Sequence, residues 1–140
     1  MADINTIMLC GRLGADPELR KTSTGKAIAN FSLATSRSVR TPGGDWDEVT
    51  EWHRVSCWEA QAERAANRLS KGDKIFISGE LRYRTWTDKA GQKRVSSEVV
   101  ARRWDLVAKK LSAQEREDRG LTPAPVKAPA SESAEDSVPY

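Results

Sequence analysis

The chain has 140 residues, of which 38% are hydrophobic and 31% charged, which suits one ordinary globular domain and is too short for two. No apolar run reaches the roughly 18 residues of a membrane span. The first residues lack a secretory signal pattern, and the two cysteines, Cys10 and Cys57, have no CxxC spacing, so we expect a cytoplasmic protein with reduced thiols.

The formal net charge of +3 combines a basic body, net +6 over residues 1–112, with an acidic end, net −3 over residues 113–140. A basic body favours a polyanionic partner. In chain order, apolar residues alternate with polar ones in five segments, which we predict to be strands: 4–13, 27–35, 48–58, 74–86 and 94–107.

One segment, 59–71, has the period of a helix, because its apolar residues recur at three- and four-residue intervals: Ala62, Ala65, Ala66 and Leu69. Gly72 follows, where a helix commonly places a C′ glycine. Turn residues at 41–44 and 88–91 separate the neighbouring strands. The order is three strands, one helix and two strands. It predicts an all-β protein with a five-stranded OB-fold barrel, and the helix lies between the third and fourth strands.

Residues 111–140 differ in composition from the body, so we divide the chain into a domain at 1–110 and a tail at 111–140. Proline, alanine, serine and acidic residues dominate the tail. Such a segment buries too little apolar surface to offset its ordering entropy, so we expect disorder. A short charged helix is expected at 114–119.

Two predicted strands carry tryptophan and arginine on the face that points away from the core. In 48–58, alternation places Trp52, Arg54 and Trp58 together. In 74–86 the corresponding side chains are Arg82, Arg84 and Trp86. Base–aromatic stacking stabilises each bound base by roughly 1–3 kcal/mol whatever the base, and arginine adds phosphate contacts. The pattern therefore predicts a surface for single-stranded nucleic acid, although any one of these tryptophans could instead anchor a subunit interface.

The remaining aromatic residues and the histidine indicate a function less clearly. Trp46 is either a fourth stacking residue on a mobile loop or a strand-start residue that covers the barrel, whereas Trp104 is predicted to pack. His53 is the only histidine, and we predict a structural hydrogen bond for it, in the core or at an interface. We find no catalytic constellation, no metal-ligand spacing and no phosphate-binding loop. We therefore predict neither an enzyme nor a cofactor.

Several runs together resemble bacterial single-stranded DNA-binding proteins across about the first 107 residues. They are Leu13-Gly-Ala-Asp-Pro-Glu-Leu-Arg20, Ala29-Asn-Phe-Ser-Leu-Ala-Thr35, Thr50-Glu-Trp-His-Arg-Val55, Leu69-Ser-Lys-Gly72, Gly79-Glu-Leu-Arg82 and Trp86-Thr-Asp-Lys-Ala-Gly91. The resemblance implies a homotetramer of OB-fold protomers that wraps single-stranded DNA at the nucleoid during replication, recombination and repair. It implies base stacking by Trp52, Trp58 and Trp86. It also implies phosphate contacts by Arg20, Arg54, Lys71, Arg84 and Arg94, and it places His53 near a subunit interface.

The chain departs from that family at two places. Val39 stands where many members carry a further stacking tryptophan. The family's tail ends in acids, an apolar residue, proline and phenylalanine and docks onto replication and repair enzymes. Here the corresponding residues are Glu135, Asp136, Val138, Pro139 and Tyr140, so we expect a partner-binding tip with less charge and a terminal tyrosine.

Two other classes of protein compete with this interpretation. An OB-fold RNA-binding protein would use a similar aromatic platform, but the cold-shock type lacks an acidic tail with an aromatic end. A protein-interaction adaptor would use the tryptophans as anchors for an acidic partner. Competition between single-stranded DNA, duplex DNA and RNA distinguishes these classes.

Overall fold

A computed structural model describes residues 2–120. Six strands form one sheet: β1 (Ile7–Leu13), β2 (Glu18–Lys21), β3 (Ala27–Arg40), β4 (Trp46–Trp58), β5 (Lys74–Thr87) and β6 (Lys93–Ala108). Helix α1 (Ala60–Arg68) lies between β4 and β5, and helix α2 (Ala113–Asp118) follows β6. Contacts divide the chain into two units, Met1–Lys110 and Leu111–Tyr140, which are described separately.

The sheet closes into a small barrel. Its strand order is β1-β5-β6-β4-β3-β2, and β1 also pairs with β3 at Arg12 and Leu13. All neighbours are antiparallel except β4 and β6, which run parallel at two residue pairs, Val55 with Val99 and Ser56 with Val100. Alternate residues of the strands pack together with α1 in the interior. This arrangement confirms the predicted all-β barrel with one helix between two of its strands. The core includes Leu33, Val55, Ala62, Ala65, Ile75, Ile77 and Trp104.

The predicted strand count of five is wrong by one short strand. Strand β2 pairs with β3 from Glu18 opposite Asn30 to Lys21 opposite Ala27, so α1 lies between the fourth and fifth strands. All four residues of β2 are exposed. They carry no alternation of apolar and polar residues, which is the signal by which a half-buried strand is recognised.

The predicted helix is also shorter than its apolar pattern. Helix α1 ends at Arg68, and its C-cap, Leu69, is already extended, with φ −99° and ψ 145°. Gly72 is therefore not a C′ residue. It lies in the following loop with φ +90°, and its N–H donates to the carbonyl of Leu13 at 2.8 Å. Leu69 remains buried because the extended chain still passes over the core.

A register shift in β6 turns Trp104 into the core. Ser78 pairs with Arg103, but the next residue, Gly79, pairs with Ala101, so one residue of β6 is left over and the inward-facing positions change parity. Trp104 is 2% exposed, and its Nε1 donates to the carbonyl of Gln61 at 3.1 Å. The predicted packing role of Trp104 is confirmed.

In the second unit, α2 confirms the short helix expected near 114–119. It begins with a capping box, in which the Ser112 hydroxyl accepts from the Glu115 N–H and the Glu115 carboxylate accepts from the Ser112 N–H. The expected disorder of the remaining tail concerns residues outside those described.

A buried carboxylate ties the α1–β5 loop to the end of β6. Asp73 is 1% exposed and accepts hydrogen bonds from the Ser70 N–H, the Lys110 N–H and Lys109 Nζ, each at 2.9 Å. Burial by itself would raise the pKa of Asp73, but these hydrogen bonds and the charge of Lys109 together outweigh it and lower the pKa.

We expect Asp73→Asn to reduce the free energy of unfolding at pH 7 by about 1–3 kcal/mol, because the amide brings N–H donors towards groups that are themselves donors. Since the folded-state pKa is lowered, the contribution of the ionised group is present above the ordinary Asp pKa of about 3.9 and is lost as pH falls through the folded value. Urea unfolding at pH 7 and under acidic conditions measures both effects.

The control Asp105→Asn removes an exposed carboxylate that pairs with Arg103 and is expected to change the free energy of unfolding by no more than about 0.5 kcal/mol. Equal losses for the two variants would contradict the assignment.

Candidate nucleic-acid interface

The outer face of β4 carries two of the predicted stacking residues. Alternation turns Val55 and Cys57 into the core, where they are 2% and 0% exposed, and turns the neighbouring Trp52 and Trp58 outward, where they remain 38% and 36% exposed. Arg54 lies between the two tryptophans on the same face. Burial raises the pKa of the Cys57 thiol to about 11, so this cysteine is an inert core residue.

Strand β5 presents the second set in the same way. Ile75 and Ile77 are buried, and the outward-facing positions continue to Arg82, Arg84 and Trp86 beyond the end of the barrel. The Arg82 and Arg84 side chains are 62% and 73% exposed. Both guanidinium groups are therefore largely accessible to a ligand in solution.

A turn holds the end of the β5–β6 hairpin beside Trp86. Trp86 pairs across the ladder with Arg94, and Arg94 Nε donates to Asp88 Oδ2 at 3.0 Å. Asp88 Oδ1 also accepts from the N–H groups of Ala90 and Gln92. The bond from Gln92, followed by that from Arg94, lowers the pKa of Asp88. The carboxylate thus stays charged and orients Arg94 next to the tryptophan.

Strand β6 joins these two faces into one surface, because it lies between β4 and β5 in the sheet. At the junction, the Ser56 hydroxyl of β4 donates to Glu98 Oε1 of β6 at 2.6 Å. Arg84 Nη2 of β5 lies 4.0 Å from Glu98 Oε2. We call the combined outer face the Trp–Arg surface: Trp52, Arg54, Trp58, Arg82, Arg84, Trp86 and Arg94.

Strand β2 extends this surface on its far side. Arg20 pairs with Ile28 of β3, and Ile28 pairs with Trp58 of β4. Residues opposite each other across a ladder share a face, and neighbouring strands lie about 4.8 Å apart. Arg20 therefore lies on the face of Trp58, about 10 Å away across the sheet.

The position of Trp46 matches neither of its two predicted roles. It is the first residue of β4 and therefore lies on a strand, but it is 69% exposed and does not cover the barrel. The guanidinium of Arg40, its ladder partner, lies 5.9 Å from the ring centroid. Trp46 precedes Trp52 by six residues, so by alternation the two share a face, at the far end of the β3–β4 hairpin. Val39 is next to Arg40 and takes the opposite face, so Trp46 does not replace the missing tryptophan at that position.

Lys71 lies away from the strand faces. It is exposed in the loop after α1, and its N–H donates to Asp16 Oδ1 at 2.7 Å. The structure therefore brings the other predicted phosphate contacts onto or beside one sheet face and leaves Lys71 on a separate loop.

His53 faces the inner side of β4 and makes the predicted structural hydrogen bond, 2.8 Å between Nε2 and the Thr35 hydroxyl. Burial lowers the pKa of His53, although the nearby Glu51 carboxylate acts in the opposite direction. Its place at a subunit interface stays a prediction. The tail candidates Glu135, Asp136, Val138, Pro139 and Tyr140 lie outside the described residues.

Sequence reasoning missed a glycine that shapes the site. A Cβ on Gly14 would lie 2.3 Å from Trp52 Cζ3 and 2.6 Å from the Ser32 hydroxyl, so only glycine lets the Trp52 ring lie where it does. Gly14 is visible in the sequence next to Leu13, but no nearby residue indicates that the Trp52 ring lies against it.

The Trp–Arg surface combines flat, half-exposed aromatic rings with accessible guanidinium groups. Such a surface suits a flexible polyanion that carries planar groups. Within residues 2–120 we find no group of three or more His, Cys, Asp or Glu side chains that could hold a metal ion. In the same range, no helix is long and apolar enough to cross a membrane.

Several known proteins are similar to this chain in sequence and in fold. The sequence profile of the single-strand binding protein family matches residues 4–107. Single-stranded DNA-binding protein 1 of Chlorobaculum tepidum is 39% identical over 110 residues, which are 78% of this chain and 68% of that protein. The structure is similar to that of a Plasmodium falciparum SSB in complex with ssDNA, with a TM-score of 0.68 at 27% identity, covering 79% of this chain and 98% of the other.

A deletion mutant of the single-stranded DNA binding protein from Thermus aquaticus is similar as well. Its TM-score is 0.66 at 34% identity, covering 76% of this chain and 52% of the other. Together with the observed barrel, these similarities support the predicted OB-fold.

We expect Gly14→Ala to turn the Trp52 ring away from its position and to weaken binding of single-stranded DNA. The loss should not exceed about 1–3 kcal/mol, the contribution of one stacked base. Fluorescence titration with an oligonucleotide measures it. Gly43→Ala is the matched control, since a Cβ there would meet only the Thr41 hydroxyl, at 4.0 Å. Unchanged affinity in Gly14→Ala would show that the ring position does not matter for binding.

Proposed function

The chain belongs to the single-strand binding protein family, and on that basis we propose that it binds and protects single-stranded DNA without strong sequence preference during replication, recombination and repair. The Trp–Arg surface is the observation that carries the proposal. Its three tryptophans are 36–41% exposed on the outer face and do not pack into the apolar interior. The proposed place of action is the nucleoid in the cytoplasm.

Exposed aromatic rings support a single strand more than a duplex. In a duplex the faces of the bases are covered by their neighbours, whereas in a single strand they are available to stack on Trp52, Trp58 and Trp86. Every base has an aromatic face, so this contact tolerates any sequence. Arg54, Arg82, Arg84 and Arg94 lie among the rings and supply phosphate contacts, with Arg20 at the margin. Trp46 with Arg40 is a further stacking candidate at the end of the β3–β4 hairpin.

The edge of β1 supports the proposed homotetramer. One edge of β1 pairs with β5 from Ile7 to Arg12, but the ladder along its other edge covers only Arg12 and Leu13. Ile4, which precedes β1, and Met8 within β1 are 93% and 66% exposed. A strand edge with exposed apolar side chains is a template for pairing with another chain, and a second copy supplies a matching strand.

The C-terminal tip is proposed to recruit replication and repair enzymes. Its sequence, Glu135-Asp-Ser-Val-Pro-Tyr140, combines acids with an aromatic end and resembles a short peptide motif that docks into a partner. The tip is net negative, so it is not suited to bind DNA itself.

We expect a poly-pyrimidine single strand to quench the tryptophan fluorescence and to bind more tightly than duplex DNA or RNA, with an affinity that falls as salt rises.

Trp52→Ala and Trp86→Ala should each weaken binding by about 1–3 kcal/mol. Tyr83→Ala is the matched control, since Tyr83 is 60% exposed on the other face of β5. A chain that ends at residue 132 should bind as tightly as the full chain. Equal affinity for duplex DNA, or better binding of RNA, would overturn the proposal.

Sedimentation velocity is expected to show a species of about four times 15.5 kDa, in keeping with closed symmetric assembly. Met8→Lys places a charge beside the open edge of β1 and is expected to shift the distribution towards smaller species. A monomer at all concentrations would show that the edge is not used.

A further inference from the structure

The register shift in β6 turns two neighbouring arginines to the outer face of the barrel. Arg102 is the residue that the shift leaves over. Ala101 and Trp104 on either side point into the core and are 4% and 2% exposed, whereas the side chains of Arg102 and Arg103 are each 72% exposed. A regular strand would turn one of the two inward, because its side chains alternate. Bulges that re-aim a side chain in this way are frequent next to functional sites.

Arg102 lies beside Trp58 on this outer face. The parallel pairing of β4 with β6 ends at Ser56 and Val100, and Trp58 and Arg102 each follow two residues later. The two segments stay together beyond that point, because Trp104 Nε1 donates to a carbonyl of α1 at 3.1 Å. Neighbouring strands are about 4.8 Å apart, so Arg102 is the residue of β6 that is level with the tryptophan.

The guanidinium of Arg102 shares a carboxylate with Arg82. Arg102 Nη2 lies 3.3 Å from Glu80 Oε2, and Arg82 Nη2 lies 2.5 Å from Glu80 Oε1. The Glu80 side chain is only 16% exposed, whereas those of Arg102 and Arg82 are 72% and 62% exposed. The negative charge therefore lies beneath the two guanidinium groups, and the side that faces solution is positive.

The ion pair with Glu80 does not by itself explain Arg102. Exposed ion pairs contribute little to the free energy of unfolding, and Arg82 already pairs with the same carboxylate. A guanidinium group carries five N–H donors in a planar fork. The hydrogen bond from Arg102 Nη2 to Glu80 leaves other donors of that fork for an anion at the surface.

Resting on the proposed binding of single-stranded DNA, we propose that Arg102 and Arg82 together bind a backbone phosphate of a nucleotide that stacks on Trp58. Two guanidinium groups fixed on one carboxylate present donors to the same region, and their planar geometry matches the oxygens of a phosphodiester. Arg20 lies on the opposite side of Trp58 across β3. The tryptophan thus has an arginine on each side, and the site extends the Trp–Arg surface along β6.

Arg103 provides a matched control within the same bulge. It has the same charge and the same exposure as Arg102, but its Nε donates to Asp105 Oδ2 at 3.0 Å. Asp105 lies two residues further along β6, away from Trp58. The Arg103 guanidinium is therefore directed away from the proposed phosphate site.

The test measures the affinity of the full chain for an oligothymidine of about ten nucleotides, within the roughly 4–16 nucleotides that one OB fold engages. Tryptophan quenching is followed at several salt concentrations. Each phosphate contact to a single strand contributes about −0.7 to the slope of log K against log salt. Arg102→Gln is expected to make the slope shallower by about 0.7, so its deficit in affinity shrinks about 2.5-fold as salt rises fourfold.

Two further variants separate the contact from general electrostatics. Arg103→Gln removes the same charge one residue away and is expected to keep the wild-type slope. Arg102→Lys restores the charge and is expected to restore the slope. The urea midpoint and the sedimentation coefficient of Arg102→Gln should equal those of wild type, because neither the core nor the assembly depends on this side chain.

A wild-type slope in Arg102→Gln, or an equal change of slope in Arg103→Gln, would overturn the inference. A changed sedimentation coefficient with an unchanged slope would do so as well, and it would place Arg102 in a subunit interface. If wild type does not bind the oligothymidine, the proposed function itself fails, which differs from binding with an unaltered salt dependence.

Discussion

The Trp–Arg surface depends on the point at which β4 and β6 run side by side. Only two residue pairs join these strands, Val55 with Val99 and Ser56 with Val100. This contact closes the barrel and puts β6 between the two strands that carry the tryptophans, so that β4 and β5 lie about 10 Å apart across it. Beyond the two pairs, β4 continues with β3 and β6 continues with β5, and the sheet divides into two hairpins that carry Trp46 and Trp86.

Closure at so short a contact requires the backbones to approach closely. A Cβ on Gly79 would lie 2.0 Å from the Val100 carbonyl oxygen, and one on Gly11 would lie 2.1 Å from that of Ala34, distances that no side chain tolerates. Gly79 also lies at the register shift that turns Trp104 inward. The same few residues of β5 and β6 therefore set the closure of the barrel, the filling of its core and the position of Glu98 on its outer face.

The outer face is basic without being uniformly positive, and its carboxylates have different surroundings. Glu80 contacts Arg82 and Arg102, and Asp88 contacts Arg94 and closes a turn. Glu98 accepts a hydrogen bond from Ser56 at one oxygen, and its other oxygen lies 4.0 Å from Arg84 Nη2. In the proposed function, attraction of phosphates and stacking of bases supply affinity for any single strand.

The sequence alone determined which residues face inward and outward wherever a strand has one buried side. Alternation predicted the core position of Val55 and the outward position of Trp52, because a period of two is a local property of the backbone. The same reasoning failed for β2 and for the ends of the β3–β4 hairpin, where both faces are exposed and no alternation exists. Only the tertiary structure placed Arg20 in line with Trp58, Gly14 beneath Trp52, and Ser56 against Glu98. Those contacts depend on the register between strands that are distant in sequence, and register is decided by the packing of the whole barrel.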